Sequence, residues 1–272
     1  MRSDFSKLLT QTIEIARTAG SKIMETYQTY FDIAEKSDQS PVTEADLIAN
    51  HVIIDGLAEI TPSIPTLSEE SDPVPFSERK NWKQYWLIDP LDGTREFIKR
   101  SDQFTVNIAL IKNHTPILAV IQVPAEDTVY YASQGMGAFK KCADKEPVKI
   151  RTNKTNHDEF VMLIGNHAID NRTLNAFRDH IGKHKINRVG SSLKSCLIAE
   201  GKADVYPRFG PTCEWDTAAA QCIVEEAGGK MTDIMLRPLR YNTKESLLNP
   251  YFIAFGNAKK DWSRILKNIL HG

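Results

Sequence analysis

The hydrophobic pattern of the chain changes near residues 151–156, and this change most constrains the fold. Before it, apolar residues at helical spacing predict helices over about residues 5–30 and 43–60. Short apolar runs separated by turn residues then predict strands at about 65–67, 85–89, 105–111, 117–123, 129–133 and 137–140. The first half therefore has the pattern of two helices followed by an antiparallel meander.

After the change, strand and helix patterns alternate to the end of the chain. The strands are expected at about 160–165, 186–190, 204–207 and 251–255. The helices are expected at about 172–180, 192–200, 216–228 and 261–270. A meander half followed by an alternating half predicts a layered α+β or α/β sandwich. We expect two subdomains, residues 1–155 and 156–272, packed as one body.

The charge balance limits the classes of partner. Of 272 residues, 41% are apolar, which is enough for a sizeable core, and the net charge is only −1 with no block of like charges. A nucleic-acid polymer is therefore not an expected partner, because its binding needs a basic surface. A small anionic substrate would have to be held by a few placed cations and metal ions.

Cysteine usage and hydropathy bear on location. None of Cys142, Cys196, Cys213 and Cys222 is paired at C-x-x-C spacing, which argues against a zinc site and predicts reduced thiols in the cytoplasm. No stretch approaches 18 consecutive apolar residues, so no transmembrane segment is expected. The first residues also lack the apolar core of a secretory signal. The sequence predicts no particular oligomeric state.

An acidic loop is the strongest candidate for chemistry. The apolar run Trp86-Leu87-Ile88 ends in residues 89–94, Asp-Pro-Leu-Asp-Gly-Thr. Pro90 and Gly93 favour a tight turn, which brings Asp89 and Asp92 together. Two adjacent carboxylates raise each other's pKa unless a cation holds them, and such oxygen ligands suit magnesium. An Asx turn, in which both aspartates only bind the loop backbone, is an equally good interpretation of this loop alone.

Two other acidic features decide between these interpretations. Glu69 and Glu70 follow a predicted strand, although glutamates at such a position usually belong to a solvated loop. Asp216 lies at the start of an alanine-rich helix, where a helix cap is compatible with metal ligation. Carboxylates from three separate segments favour a metal site over a local turn.

In this order, the motifs resemble the signature of the inositol monophosphatase superfamily, a group of lithium-sensitive, magnesium-dependent phosphatases. They are Glu69-Glu70, the loop 89–94 and the segment 215–219, Trp-Asp-Thr-Ala-Ala, and the later Ala227-Gly228-Gly229 also matches. The resemblance covers essentially the whole chain. It implies a five-layer αβαβα sandwich of the sugar-phosphatase type and two or three magnesium ions.

The resemblance also implies roles for single residues. Glu69, Asp89 and the Leu91 carbonyl would bind one metal ion. Asp89, Asp92 and Asp216 would bind a second. Glu69 and Thr94 would orient and deprotonate the attacking water. Asp46 would help to hold a further magnesium ion, although Thr43 and Asp46 also have the spacing of a capping box.

The acidic motifs do not distinguish the possible phosphate esters, so the substrate has to be inferred from the second half of the chain. At a predicted strand-to-helix junction, Gly190 and Ser191 offer backbone N–H groups to an anion and Lys194 adds a charge, unless Ser191-Ser192 is an ordinary helix cap. Arg208 precedes Asp216. These segments, with 105–109 and 246–250, resemble the CysQ branch, whose members are 3′(2′),5′-bisphosphate nucleotidases. The resemblance implies adenosine 3′,5′-bisphosphate as substrate, with the corresponding phosphosulfate as a second one. It also allows peripheral binding to the cytoplasmic face of the inner membrane.

By this resemblance, the substrate-binding residues would be Glu69, Leu91, Asp92, Gly93, Thr94, His167, Gly190, Ser191, Lys194, Arg208 and Asp216.

One segment departs from the pattern of that branch. The branch usually shows Ser-Arg-Ser-His where this chain has Ile164-Gly165-Asn166-His167. The missing arginine predicts altered recognition of the second phosphate, for which Arg208 could compensate. The alternatives are an inositol monophosphatase or another small-phosphate hydrolase of the same fold, and a nucleotide-binding regulator without activity. A calcium-stabilised structural protein is the weakest, because the ligands come from distant segments.

Overall fold

The computed structural model describes residues 2–35, 41–153, 160–168, 172–256 and 260–270. The helices are α1 (Arg2–Tyr27), α2 (Glu44–Ile60), α3 (Phe76–Arg79), α4 (Thr94–Ile98), α5 (Arg172–Ile181), α6 (Leu193–Ala199), α7 (Ala218–Glu226) and α8 (Trp262–Leu270). Among these described ranges, no helix combines the length and apolar character required to cross a membrane.

The strands form two large sheets and one small hairpin. The first strands are β1 (Ile33–Glu35), β2 (Pro41–Thr43), β3 (Thr66–Ser68), β4 (Gln84–Asp92), β5 (Thr105–Lys112), β6 (Thr115–Val123), β7 (Thr128–Ser133), β8 (Gly137–Cys142) and β9 (Val148–Ile150). The later strands are β10 (Phe160–Ile164), β11 (His184–Arg188), β12 (Val205–Arg208), β13 (Lys230–Asp233) and β14 (Phe252–Phe255).

The two large sheets differ in their pairing. The seven-stranded sheet has the order β3-β4-β5-β6-β7-β8-β9, and all its neighbours are antiparallel except the parallel pair β3 and β4. The five-stranded sheet has the order β11-β10-β12-β14-β13. In this sheet β10 pairs in parallel with β11 and β12, while β14 pairs antiparallel with β12 and β13. Strands β1 and β2 form the separate hairpin.

Five layers of helices and sheets are joined by three apolar clusters. One cluster joins α1 and α2 to the seven-stranded sheet. The second fills the space from the other face of that sheet through α6 and α7 to the five-stranded sheet. The third joins the five-stranded sheet to α5 and α8. The αβαβα sandwich predicted from the sequence is therefore confirmed.

Strand β4 shows why the first large sheet can be covered on both faces. Trp86 and Ile88 belong to the cluster under α1 and α2, whereas Tyr85 and Leu87 belong to the cluster under α6 and α7. Because side chains alternate across a strand, a strand covered on both faces must be apolar at successive positions. Full burial of each such side chain stabilises the fold by about 1.5–3 kcal/mol. The unbroken apolar run thus fixes β4 between two layers of the sandwich, and Asp89 follows directly after this run.

Several expected boundaries were wrong, mainly at exposed edges. The hairpin β1–β2 and strands β9 and β13 were missed, because three or four residues are too few to establish a periodic pattern. Strand β11 begins two residues before the expected start at 186, and it is an edge strand with largely exposed side chains. Helix α7 begins at Ala218 with Thr217 as its N-cap, so Asp216 precedes the cap.

The proposed boundary between the subdomains lies at residues 155–156, outside the described residues. The division into residues 1–155 and 156–272 stays a prediction. The middle cluster nevertheless contains side chains from both sheets, such as Leu87 and Phe252, so the two sheets share a core. The C-terminal part of β4, with Asp89, and the segment before α7, with Asp216, thereby come close together.

Substitution of Gly229, which lies between α7 and β13, tests this packing. A Cβ on Gly229 would lie 2.7 Å from the Phe255 carbonyl oxygen and 2.9 Å from a Thr152 methyl carbon. We expect Gly229→Ala to lower the free energy of unfolding by about 1–3 kcal/mol, the usual cost of overpacking. The matched control is Gly210→Ala, because the nearest atoms lie 4.0 Å from the new methyl group. Urea denaturation should show a loss for Gly229→Ala alone, and equal midpoints for the two variants would contradict the packing described.

Candidate active site

Asp89 uses its two carboxylate oxygens differently. Oδ1 accepts a hydrogen bond from the Leu91 N–H at 3.1 Å. Oδ2 is buried without a hydrogen-bond partner. The Asx-turn contact and an available ligand oxygen therefore coexist in one side chain. The chain leaves the loop through Gly93, whose φ of 95° is readily adopted only by glycine, and α4 then begins at Thr94.

Three carboxylates converge on this point. Glu69 follows β3, Asp89 lies in β4, and Asp216 lies just before α7. One oxygen from each lies within 4.8 Å of the other two. The backbone N–H of Glu69 donates to the Ile88 carbonyl at 3.2 Å, so pairing with β4 fixes the approach of this glutamate. Segments that are distant in sequence thus meet in one acidic cluster.

The electrostatics of this cluster favour a cation. Burial raises the pKa of Asp89 well above its usual value, and Glu69, Asp92 and Asp216 raise it further. Burial also raises the pKa of Asp216, with contributions from Asp92 and Glu69. A buried oxygen without a partner and a donor set made only of carboxylates fit a divalent metal ion, which would remove the repulsion. The residues present are therefore compatible with a metal site.

Asp92 lies beside this cluster rather than within it. Its Oδ2 accepts hydrogen bonds from the Ser192 N–H at 2.6 Å and from the Ser192 hydroxyl at 2.7 Å. The same hydroxyl lies 3.0 Å from the backbone oxygen of Asp216 and accepts a bond from Asn107 at 2.9 Å. One oxygen of Asp92 is thus committed to the start of α6. Sequence reasoning missed Ser192 as the residue that joins two predicted metal ligands.

Asp46 and Thr94 form a second acidic element. Asp46 Oδ2 accepts hydrogen bonds from the N–H of Thr43 at 2.8 Å and from its hydroxyl at 2.7 Å. Asp46 Oδ1 lies 3.0 Å from the Thr94 hydroxyl. That hydroxyl also lies 3.4 Å from the Leu91 carbonyl oxygen. The capping contact and the contact with the candidate catalytic threonine are therefore both present, one on each oxygen.

A cavity of about 270 Å³ opens beside the acidic cluster. It brings together eight of the residues predicted to bind substrate: Asp92, Gly93, His167, Gly190, Ser191, Lys194, Arg208 and Asp216. The predicted residues that do not line it are Glu69, Leu91 and Thr94. The cavity therefore joins the edge of the acidic loop, residues 89–94, to the cationic groups of the second half.

Lys194, which was predicted to bind the substrate, is a buried lysine at the cavity. Its side chain is buried, its Nζ donates to the Val189 carbonyl at 3.3 Å and the Ser191 carbonyl at 2.5 Å, and it lies 5.1 Å from the centre of the Tyr206 ring. Burial lowers the pKa of Lys194 to about 8, against an opposing effect of Asp92. A poorly hydrated ammonium group next to a cavity is well suited to meet an anion.

The backbone N–H groups expected to receive an anion are largely in use. The Gly190 N–H donates to Gln103 Oε1 at 2.7 Å, and the Ser192 N–H donates to Asp92. The Leu193 N–H lies 3.3 Å from the Ser191 hydroxyl oxygen. Of the two amides predicted to receive an anion, that of Gly190 is therefore in use, and Lys194 and Arg208 add charged groups to the lining of the cavity.

A polar wall from the first half was missed by sequence reasoning. Gln103 Oε1 also accepts from Asn166 Nδ2 at 2.9 Å, and Glu96 Oε1 lies 3.3 Å from both Asn166 Nδ2 and His167 Nε2. The sequence carried no signal for this wall, because Glu96 and Gln103 look like ordinary surface residues of a short helix and a loop. The wall fixes the segment that carries Asn166 and His167 against the first half.

Comparison with known proteins agrees with this fold. A model of the inositol monophosphatase family matches residues 4–265. The 3′(2′),5′-bisphosphate nucleotidase CysQ of Escherichia coli strain K12 is 44% identical over 247 residues, which are 90% of this chain and 98% of that protein. The protein of the same name from Haemophilus influenzae is 41% identical over 261 residues, 96% of this chain and 97% of that one.

A solved structure shows the same architecture. The crystal structure of CysQ from Bacteroides thetaiotaomicron is 38% identical, with a TM-score of 0.81, and the match covers 93% of this chain and 98% of that one. A layered sandwich with an acidic cluster beside a cationic cavity, in a chain with such relatives, defines an enzyme of the phosphatase class. The chain belongs to the inositol monophosphatase family.

Removing one charge from the cluster should reveal its repulsion. A raised pKa in the folded state means that the ionised Asp89 costs stability, and this cost is fully present at pH values above the folded pKa. We therefore compare the two proteins without metal, in the presence of a chelator, and at a pH well above the folded-state pKa of Asp89. Under these conditions Asp89→Asn should unfold at a higher temperature than the wild type.

Magnesium should reverse this order, because a ligand that binds only the folded state raises its melting temperature and the variant lacks a ligand oxygen. Thermal melts with chelator and with excess magnesium measure both effects. The exposed Asp55→Asn should behave like the wild type in both. A melting temperature of Asp89→Asn below that of the wild type in chelator would contradict the repulsive cluster.

Proposed function

We propose that this enzyme catalyses the magnesium-dependent hydrolysis of the 3′-phosphate of adenosine 3′,5′-bisphosphate, giving AMP and phosphate, and that it acts likewise on the corresponding phosphosulfate. The observation that carries the proposal is the cluster of Glu69, Asp89 and Asp216 at a cavity that also holds buried Lys194 and Arg208. The nucleotidases named CysQ, at 41–44% identity, support the choice of substrate.

The proposed role is the recycling of this nucleotide in sulfur assimilation, in the cytoplasm. All four cysteines are free, which fits a reducing compartment. Peripheral binding to the inner membrane stays a prediction from the resemblance.

The carboxylates provide for two or three magnesium ions. Glu69, Asp89 and the Leu91 carbonyl are the proposed ligands of one ion, and Asp89, Asp92 and Asp216 of another. When bound, magnesium supplies positive charge against the phosphate oxygens and makes water more acidic. The buried, partnerless Oδ2 of Asp89 suits the shared ligand, because Oδ1 is held by the loop backbone.

Thr94 and its neighbours are suited to handle the proton of an attacking water. When the Thr94 hydroxyl donates to Asp46 Oδ1, at 3.0 Å, a lone pair of its oxygen remains to accept a hydrogen bond from water. Glu69 is the second proposed acceptor. Because Asp46 is anchored through its other oxygen to Thr43, the hydroxyl is held in a fixed orientation. This arrangement requires no cysteine or histidine nucleophile.

Arg208 is the proposed contact for the second phosphate. Its Nε donates to the Thr212 hydroxyl at 2.7 Å and its Nη2 donates to the Pro211 carbonyl at 2.6 Å. Its Nη1 lies 3.9 Å from the position that a Cβ on Gly165 would take. Arg208 thus holds a positive charge next to the position where the related nucleotidases usually have an arginine, which supports the idea that it compensates.

A substrate panel tests this function. Purified protein should release phosphate from adenosine 3′,5′-bisphosphate in the presence of magnesium, in clear preference to myo-inositol 1-phosphate. Asp89→Asn should lose at least about 100-fold in turnover, because one electrostatic contact to a transition state is worth about 2.7–4 kcal/mol in other enzymes. A preference for the inositol ester would identify an inositol monophosphatase. Nucleotide binding without magnesium-stimulated release would identify a regulator.

The pH dependence of substrate capture tests the role of Lys194. The charged form of Lys194 is lost as the pH rises through about 8, so kcat/KM for the bisphosphate should fall across that value. Lys194→Met should have a low kcat/KM without this descending limb. Initial rates at saturating magnesium, between about pH 6.5 and 9.5, measure both profiles. Superimposable pH profiles for the two proteins would exclude Lys194 as the titrating group.

A further inference from the structure

The segment of residues 242–249, here named the strap, connects β13 and β14 and has no part in the site described above. It includes residues 246–249 of the motif through which the chain resembles the nucleotidase branch. Its side chains are mostly exposed, yet Asn242 at its start is buried and Asn249 at its end is half-buried. Polar side chains that are withdrawn from water at both ends of an exposed segment indicate specific partners.

The strap is bonded along the loop that carries Asp216. The Glu214 N–H donates to the Leu247 carbonyl at 2.8 Å, and the Asn249 N–H donates to the Thr212 carbonyl at 2.8 Å. Asn249 Nδ2 donates to the Cys213 carbonyl at 2.6 Å and to the Thr217 hydroxyl at 2.9 Å. These bonds reach the loop on both sides of Asp216.

The start of the strap reaches the same loop through a side chain. The Asn242 N–H donates to Glu214 Oε2 at 2.7 Å, and within the loop the Cys213 N–H donates to Asp216 Oδ2 at 2.9 Å. The Asp216 carboxylate is thus oriented by a loop whose backbone is fixed from outside.

Arg79 anchors the strap to the first half. This arginine ends α3, ten residues after Glu69, and is only 2% exposed. Its guanidinium donates to the Asn242 side-chain oxygen and to the backbone carbonyls of Lys244 and Glu245. In return, Asn242 Nδ2 donates to the Arg79 carbonyl at 2.5 Å. A planar fork with several donors suits this role better than an ammonium group.

We propose that Arg79 and Asn249 are positioning residues that act through the strap to hold Asp216 at the distance from Glu69 and Asp89 required for binding a divalent cation. The proposal rests on the metal site of the proposed function. Carboxylates that repel one another move apart unless their loops are held, and a site that has to be reassembled binds metal more weakly. Neither residue lines the substrate cavity. Their loss should therefore weaken metal binding and leave substrate binding unchanged once metal is saturating.

The main test is direct metal binding to the metal-free protein. Isothermal titration with magnesium should show a dissociation constant about 10- to 100-fold higher for Asn249→Ala than for the wild type, the usual range for residues that orient metal ligands. Arg79→Lys, which keeps the charge but lacks the fork, should show an increase of the same kind. The matched control is Thr243→Ala, an exposed position of the strap that should leave metal affinity unchanged.

Kinetics then separate positioning from general damage. The magnesium concentration for half-maximal phosphate release should rise in parallel with the dissociation constant, while KM for the bisphosphate at saturating magnesium stays within about twofold of the wild type. Should Arg79→Lys fail to fold, Asn249→Ala carries the test, because it removes only two side-chain hydrogen bonds. If folded Asn249→Ala binds magnesium with an affinity within twofold of the wild type, the positioning role is overturned and the proposed function is not. A wild-type protein that binds no magnesium would overturn the proposed function as well.

Discussion

Glu69, Asp89 and Asp216 repel one another, and the surrounding structure has to hold them together. Like charges in a buried place are costly, and they stay together only where the surrounding fold leaves them no freedom to separate. Here each carboxylate lies at an element that is packed in a core. Glu69 follows β3, Asp89 lies in β4, and Asp216 precedes α7. The stability of the sandwich is thus partly used to hold an unfavourable cluster, which becomes favourable when a cation binds.

Several acidic side chains at and beside this cluster divide their two oxygens between different partners. Asp89 gives one oxygen to the Leu91 amide and Asp92 gives one to Ser192, whereas Asp46 gives one oxygen to Thr43 and the other to the Thr94 hydroxyl. A carboxylate that is held by one oxygen cannot rotate freely, so its other oxygen points in a defined direction. The candidate ligand oxygens and the contacts of the local turns and caps therefore belong to the same side chains, so the structural and the catalytic interpretations of these residues are compatible.

The sequence was most informative where chemistry and burial coincide. The run Trp86-Leu87-Ile88 predicted a buried strand, and its apolar residues do alternate between two cores. The separated acidic motifs predicted that their segments meet, and the structure brings Glu69, Asp89 and Asp216 together. Short edge strands such as β9 and β13 were missed, because their pairing partners rather than their own residues determine them.

The polar contacts between segments could not be predicted either. Ser192, Gln103 and Arg79 act through residues more than 80 positions away, and no local pattern encodes such a distance. Lys194 was predicted to add a charge for an anion, but its burial next to the Tyr206 ring had no local signal, because lysines are almost never fully buried.

The bond between Asp92 and Ser192 has a consequence for motion. With the Gln103–Gly190 contact, it ties the metal loop and the wall of the cavity to the start of α6, across a core that both sheets share. A hinge between the halves would have to break these bonds and open the middle layer to water, which a packed interior resists. A clamshell closure of the two halves is therefore costly, and movement of side chains at the rim of the cavity is the less costly way to admit a substrate.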